Sequence, residues 1–123
     1  MAMISWSKDG NWFSSRRLMV RIIERAKSHI TRADDEKALD DDLAVGGVTF
    51  DLYDREQATR IAAAIVQAVV ELRAELAGVA SPTRPDRWVL QNLPALEAGL
   101  RREFGLYPGV VRNDRALEEG APD

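Results

Sequence analysis

The strongest pattern in the chain runs from Asp54 to Leu76, DREQATRIAAAIVQAVVELRAEL. Ile61, Ile65, Val69, Leu72 and Leu76 recur at steps of four and three, the repeat of one helix face. Ala62, Val66 and Val70 widen that face. Arg60, Gln67, Glu71 and Glu75 fall opposite, with Ala64 between the first two. Asp54 is placed to cap the first turn, with Gln57 completing a capping-box pattern. Glu56 lies where the helix dipole favours an anion. Gly78 and Pro82 mark the end. Between Ile61 and Val70 only Gln67 is polar, so the helix is covered on more than one side. It is read as the centre of the domain, and otherwise as part of an oligomer seam. Alanines 62, 63, 64 and 68 allow a neighbouring helix to approach closely.

The same reading places other elements around it. Ile4-Ser5-Trp6-Ser7 alternates, and Asp9-Gly10 is a common hairpin turn. A hairpin over residues 3 to 13 follows, or else Trp12 and Phe13 form an aromatic plug. Ser14 or Ser15 starts a helix to about Arg32, with Met19, Ile22, Ile23, Ala26 and Ile30 as its inner stripe. Residues 35–44 read as a short helix with Ala38, Leu39 and Leu43 turned inward, broken by Gly46-Gly47. Val48, Phe50 and Leu52 alternate with Thr49, Asp51 and Tyr53, so 48–53 reads as a strand pairing with 3–7. Its backbone groups need such a partner. Asp86 opens a helical turn through Asn92 with Trp88 and Leu90 inward. Pro94 then begins a helix over 94–104 with Leu93, Leu96, Leu100 and Phe104 inside. Gly105 ends it, Pro108-Gly109 makes a turn, and 112–123 is read as a fraying tail. The expected fold is therefore α+β and predominantly helical: helices near 14–32, 54–77 and 94–104, shorter pieces at 35–44 and 86–92, and a small sheet. Residues 1–111 form one domain.

Composition limits the chemistry. The 123 residues include no cysteine and one histidine, and the net charge is −3. Disulfides, thiolate metal sites and cysteine nucleophiles are excluded, and no global charge draws the chain to nucleic acid or membrane. There is no signal-peptide pattern at the N-terminus. The longest uncharged apolar run is far below the roughly 20 residues of a membrane span. A cytoplasmic setting is expected. The richness in Ala, Arg and Asp, with lysine only at 8, 27 and 37, matches the usage of GC-rich genomes and suggests a small bacterial protein.

Charge is distributed unevenly. Residues 14–33 hold five arginines and one lysine against Glu24, and residues 34–42 hold six acids against Lys37. Arg17, Arg21, Arg25 and Arg32 line the side of the first helix away from its apolar stripe. Asp40, Asp41 and Asp42 end the acidic block. The arginines could track a phosphate backbone, with Arg101 and Arg102 extending the surface, since guanidinium suits phosphate geometry. The adjacent acids would repel a nucleic acid or neutralise the arginines. They could also serve as a decoy that occupies a partner's basic site.

Few groups suit catalysis. His29 lies one turn after Arg25, and that pair could act on a phosphodiester, but a boundary histidine is the simpler reading. The acidic block does not follow the calcium-loop spacing. No phosphate-binding glycine loop or nucleophile elbow is present. No metal, cofactor or catalytic residue is assigned. The expectation is a non-enzymatic interaction protein, of inhibitor, immunity or adaptor type, acting on a protein partner or on itself as a possible homodimer. The alternative is a nucleic-acid-binding protein using the arginine face. Beyond these stand the Arg25–His29 enzyme and a ligand pocket lined by Trp6, Trp12 or Trp88.

Overall fold

A computed structural model describes residues 1–106 of the chain. The expected turn at Pro108-Gly109 and the tail at 112–123 lie outside the described residues. The order is β1 (Ala2–Ser5), β2 (Asn11–Ser14), α1 (Arg16–Lys27), α2 (Ala33–Val45), β3 (Gly47–Thr49), a 3₁₀ turn at Phe50–Leu52, α3 (Arg55–Ala77) and α4 (Arg84–Phe104). This is a predominantly helical α+β fold with a small mixed sheet. None of the described helices is long and apolar enough to cross a membrane.

The sheet has the order β2-β1-β3, with β1 antiparallel to β2 and parallel to β3. Ile4 pairs with Trp12 on one side and Val48 on the other, and all three are buried. Met3 and Phe13 pair on the opposite face, where Phe13 is exposed. Alternation thus gives the sheet one inner and one outer face. The loop over 6–10 does not place Gly10 in the left-handed region. Among the described glycines only Gly46 and Gly105 have positive φ. Gly10 is needed for space instead, because a Cβ there would run into the Trp6 ring.

α3 is buried along its length by its own chain. Ile61, Ala62, Ile65, Ala68 and Val69 have no exposed surface, and Ala64 is also buried. α1 and α4 pack on either side of it. The expectation that Ala64 lies on the polar side is corrected, because small side chains on that side still meet a neighbour. Val70, expected inside, is 38% exposed. Asp54 does cap the helix, its carboxylate accepting the Gln57 N–H at 2.8 Å. The reciprocal half of the box does not form, since the Gln57 side chain donates to Asp35 instead. A complete box forms at α4, between Thr83 and Asp86.

Three expected boundaries are corrected. α1 stops at Lys27, not near Arg32. The Ser28 hydroxyl donates to the Arg25 carbonyl at 2.7 Å and the His29 N–H to Ala26 at 2.9 Å, closing the last turn. Arg32 becomes the residue before α2 and leaves the arginine stripe. The strand at 48–53 stops at Thr49 and tightens into the 3₁₀ turn. Phe50 stays buried while Leu52 is thrown outward, 78% exposed. The pieces at 86–92 and 94–104 are one helix. An interior proline costs about 3 kcal/mol. Val89 and Leu93 before Pro94, and Leu96, Leu100 and Phe104 after it, are all buried on one continuous stripe. Each such side chain contributes about 1.5–3 kcal/mol, so the seam outweighs the lost bond. On that helix Val89 takes the inward place expected of Trp88.

Gly99 in α4 supplies a sharp test of this packing. Its missing Cβ is the space occupied by the Trp6 ring, which Gly10 also approaches closely. A helix interior ordinarily favours alanine over glycine by about 1 kcal/mol. Gly99→Ala is nevertheless expected to destabilise the fold by about 1–2 kcal/mol through overpacking. Urea unfolding checks this; a more stable variant would mean that Trp6 is not seated on α4.

Candidate protein interface

The arginines of α1 do not form one free face. Arg25 donates to Glu75 of α3 at 3.0 Å and stands 3.7 Å from Glu71. Arg21 lies 3.8 Å from Glu75. Arg32 meets Asp34 at 3.3 Å. Arg17 is exposed and makes no ion pair or side-chain hydrogen bond among the described residues. The stripe is therefore divided: its middle faces the outer glutamates of α3, its end belongs to α2, and Arg17 is the one member without an ion pair among the described residues. That partnership follows from helix geometry. α1 and α3 pack side by side, so the polar edge of each meets the other just above the buried seam.

The acids of α2 are also engaged from within the chain. Asp40 accepts from Lys27 of α1 at 2.8 Å, and Asp41 from Lys37 at 2.8 Å. Asp42 accepts from the Tyr53 hydroxyl. Three acids at the carboxyl end of a helix oppose its dipole, and each of them has a donor. The Asp40 contact raises the Lys27 ammonium above its ordinary range. Burial raises the Asp42 carboxyl, with the Tyr53 bond opposing. Burial and the Asp42 contact push the Tyr53 hydroxyl far up in turn.

His29 and Arg25 are brought together, but on Glu71. His29 Nε2 stands 2.9 Å from Glu71 Oε2, close in distance and off the line of a hydrogen bond. Carboxylates of the same chain fill the place a phosphate would take. Among the described residues no three acids or histidines converge as a cation site.

One buried charge went unnoticed in the sequence. Asp35 is 2% exposed. It accepts two bonds from Arg60, at 2.8 and 3.1 Å, and one from Gln57 at 3.2 Å. The Arg60 bond holds its carboxyl below the usual range against the opposing effect of burial. This cluster clamps α2 to α3. It was hidden because Asp35 sits inside a run of acids that reads as a solvated face.

The open apolar surface lies elsewhere. Between the first turns of α1 and α4 is a cleft of about 260 Å³, floored by Leu18, Pro85, Trp88 and Val89 and edged by Arg17 and Arg21. Ser15 caps α1 at its rim, accepting the Leu18 N–H at 3.2 Å. Trp88 is 42% exposed here, against 6% for Trp12, which packs against it with ring centroids 6.2 Å apart. The Trp12 indole N–H donates to the Asn92 carbonyl at 3.0 Å. One tryptophan is thus fixed inside, and its neighbour is left on the surface. Comparison with protein-family models, with curated proteins and with solved structures finds no match to this chain. The cleft must therefore be interpreted from its own geometry. The sequence offers Trp88 as one candidate pocket residue but turns it inward on its helix, so it does not show a cleft between α1 and α4. Only the joining of 86–92 to the next helix turns Val89 in and Trp88 out.

Proposed function

We propose that this chain is a non-enzymatic protein-interaction module of the cytoplasm, of inhibitor, immunity or adaptor type, and that it engages its partner at the α1–α4 cleft. The observation that carries this reading is the half-exposed Trp88 on an apolar floor edged by arginine. Tryptophan and arginine are the residue types that most often dominate binding energy at protein interfaces. The cleft is smaller than the roughly 300–1,000 Å³ of small-molecule pockets, and suits one inserted side chain. Self-association through α3 has less support, because a single copy already covers that helix. A nucleic-acid surface also has less support, since Arg21 and Arg25 face glutamates.

Panning a random-peptide display library on the purified chain tests the proposal. Clones should enrich on the wild type and be lost on Trp88→Ala, by about thirtyfold in affinity for a central aromatic anchor. A chain that enriches no clones, and stays monomeric in light scattering at every concentration, would contradict it.

A further inference from the structure

The rim of the cleft constrains what can enter it. Arg17 and Arg21 stand on its α1 side. The first turn of α1 contains no acid to meet the positive end of its dipole, and Arg16 there is committed to the Leu43 carbonyl at 3.0 Å. On the α4 side, Arg84 and Arg87 are exposed on the same turn as Trp88, and the Arg87 side chain bonds the Pro82 carbonyl at 2.9 Å and no carboxylate among the described residues. Among the described residues Asp86 is the single acid lining the cleft. Its carboxylate accepts the Thr83 N–H at 3.2 Å, which ties it to the cap of α4. A protein of net charge −3 thus lines one apolar slot with two arginines and, among the described residues, one committed acid, with Arg84 and Arg87 exposed on the turn that carries Trp88.

From this charge arrangement we infer that the occupant is an acidic peptide segment of a partner protein with one bulky apolar anchor, leucine or phenylalanine. The inference rests on the interaction-module reading and adds the chemistry of the partner. The anchor fills the slot over Leu18 and Val89 against the Trp88 ring. Flanking carboxylates meet Arg17, where paired N–H donors favour a planar acid, while Arg21 is shared with Glu75 at 3.8 Å. Arg17 is the leading contact because no carboxylate of its own chain competes for it among the described residues. A phosphorylated or nucleic-acid ligand would also find charge here, but would leave the apolar floor unfilled.

Three labelled synthetic peptides test this by fluorescence anisotropy: a phenylalanine flanked by aspartate and glutamate, the same anchor flanked by lysine, and the acidic flanks around alanine. The acidic phenylalanine peptide should bind at least about tenfold more tightly than either control. Its affinity should fall with added salt. Arg17→Glu, a surface change that leaves the core intact, should weaken it about tenfold and narrow the gap to the lysine peptide. Equal binding of the lysine peptide, or no effect of Arg17→Glu, overturns the acidic-partner inference. The module reading survives that result if display clones still require Trp88. Absence of binding by all three peptides and of any enriched clone overturns both. A concentration-dependent dimer that shields Trp88 would make a second copy the occupant and overturn the peptide.

Discussion

Ile65→Ala is expected to cost about 3–4 kcal/mol, from the range for large-to-small changes at sealed core sites. Ile65 has no exposed surface and lies near the middle of α3, the helix against which α1 and α4 both pack. Its neighbours Ala62, Ala64 and Ala68 are already minimal, and all are buried. They set how closely the flanking helices approach, so the surroundings cannot collapse into the vacated volume. A cavity then adds to the lost transfer energy. Against a total stability of about 5–15 kcal/mol for such a domain, the loss would be a large fraction. Val70→Ala on the same helix, at an exposed position, should change stability by under about 1 kcal/mol. Urea unfolding of both variants checks the contrast. Equal effects would mean that α3 is not enclosed as described.

Asp35→Ala carries the second largest effect, about 2–3 kcal/mol at neutral pH. Breaking a buried ion pair by removing one partner costs about 3–5 kcal/mol when the remaining charge is stranded. The Arg60 side chain is 37% exposed, so water can recover part of its solvation. The pH dependence fixes the mechanism. The folded Asp35 carboxyl lies below its ordinary value because of the Arg60 contact. A depressed carboxyl contributes stability above the unfolded value of about 3.9 and loses it as pH falls through the folded value. The gap between wild type and Asp35→Ala should therefore be full at pH 7 and shrink under acid conditions, below about pH 4. Denaturant titrations across that window measure it. A gap that is constant with pH would show that Asp35 acts through packing and not through its charge.

These two residues mark the boundary of what could be read from the chain. Ile65 was legible because apolar steps of three and four have one physical meaning, a helix face, and the width of the arc implied cover on several sides. The strand pairing was legible in outline for a related reason, since an alternating segment cannot leave its backbone unpaired. Asp35 was not legible. Its neighbours Asp34 and Glu36 remain exposed, and nothing local separates an acid that turns in from two that turn out. Only the position of Arg60 on α3 decides it. Pro94 misled in the opposite way. A local helix-breaking preference suggested two pieces, and a tertiary seam from Val89 to Phe104 overrode it. That one override also changed the candidate site, by rotating Trp88 to the surface. For the arginine stripe, sequence proximity suggested pairing with α2, yet most of its ion pairs run to Glu71 and Glu75, more than 40 residues away. Lys27 alone bridges α1 to the acids of α2.

The account depends on α3 being sealed within one copy while the α1–α4 cleft stays open. Nuclear magnetic resonance with a dissolved paramagnetic agent reports both in one experiment, at a concentration where the chain is monomeric. The Trp88 indole N–H should broaden strongly, and the Trp12 indole N–H and the Ile61, Ile65 and Val69 methyls should remain sharp. Broadened α3 methyls, or a Trp88 signal as protected as that of Trp12, would contradict the account.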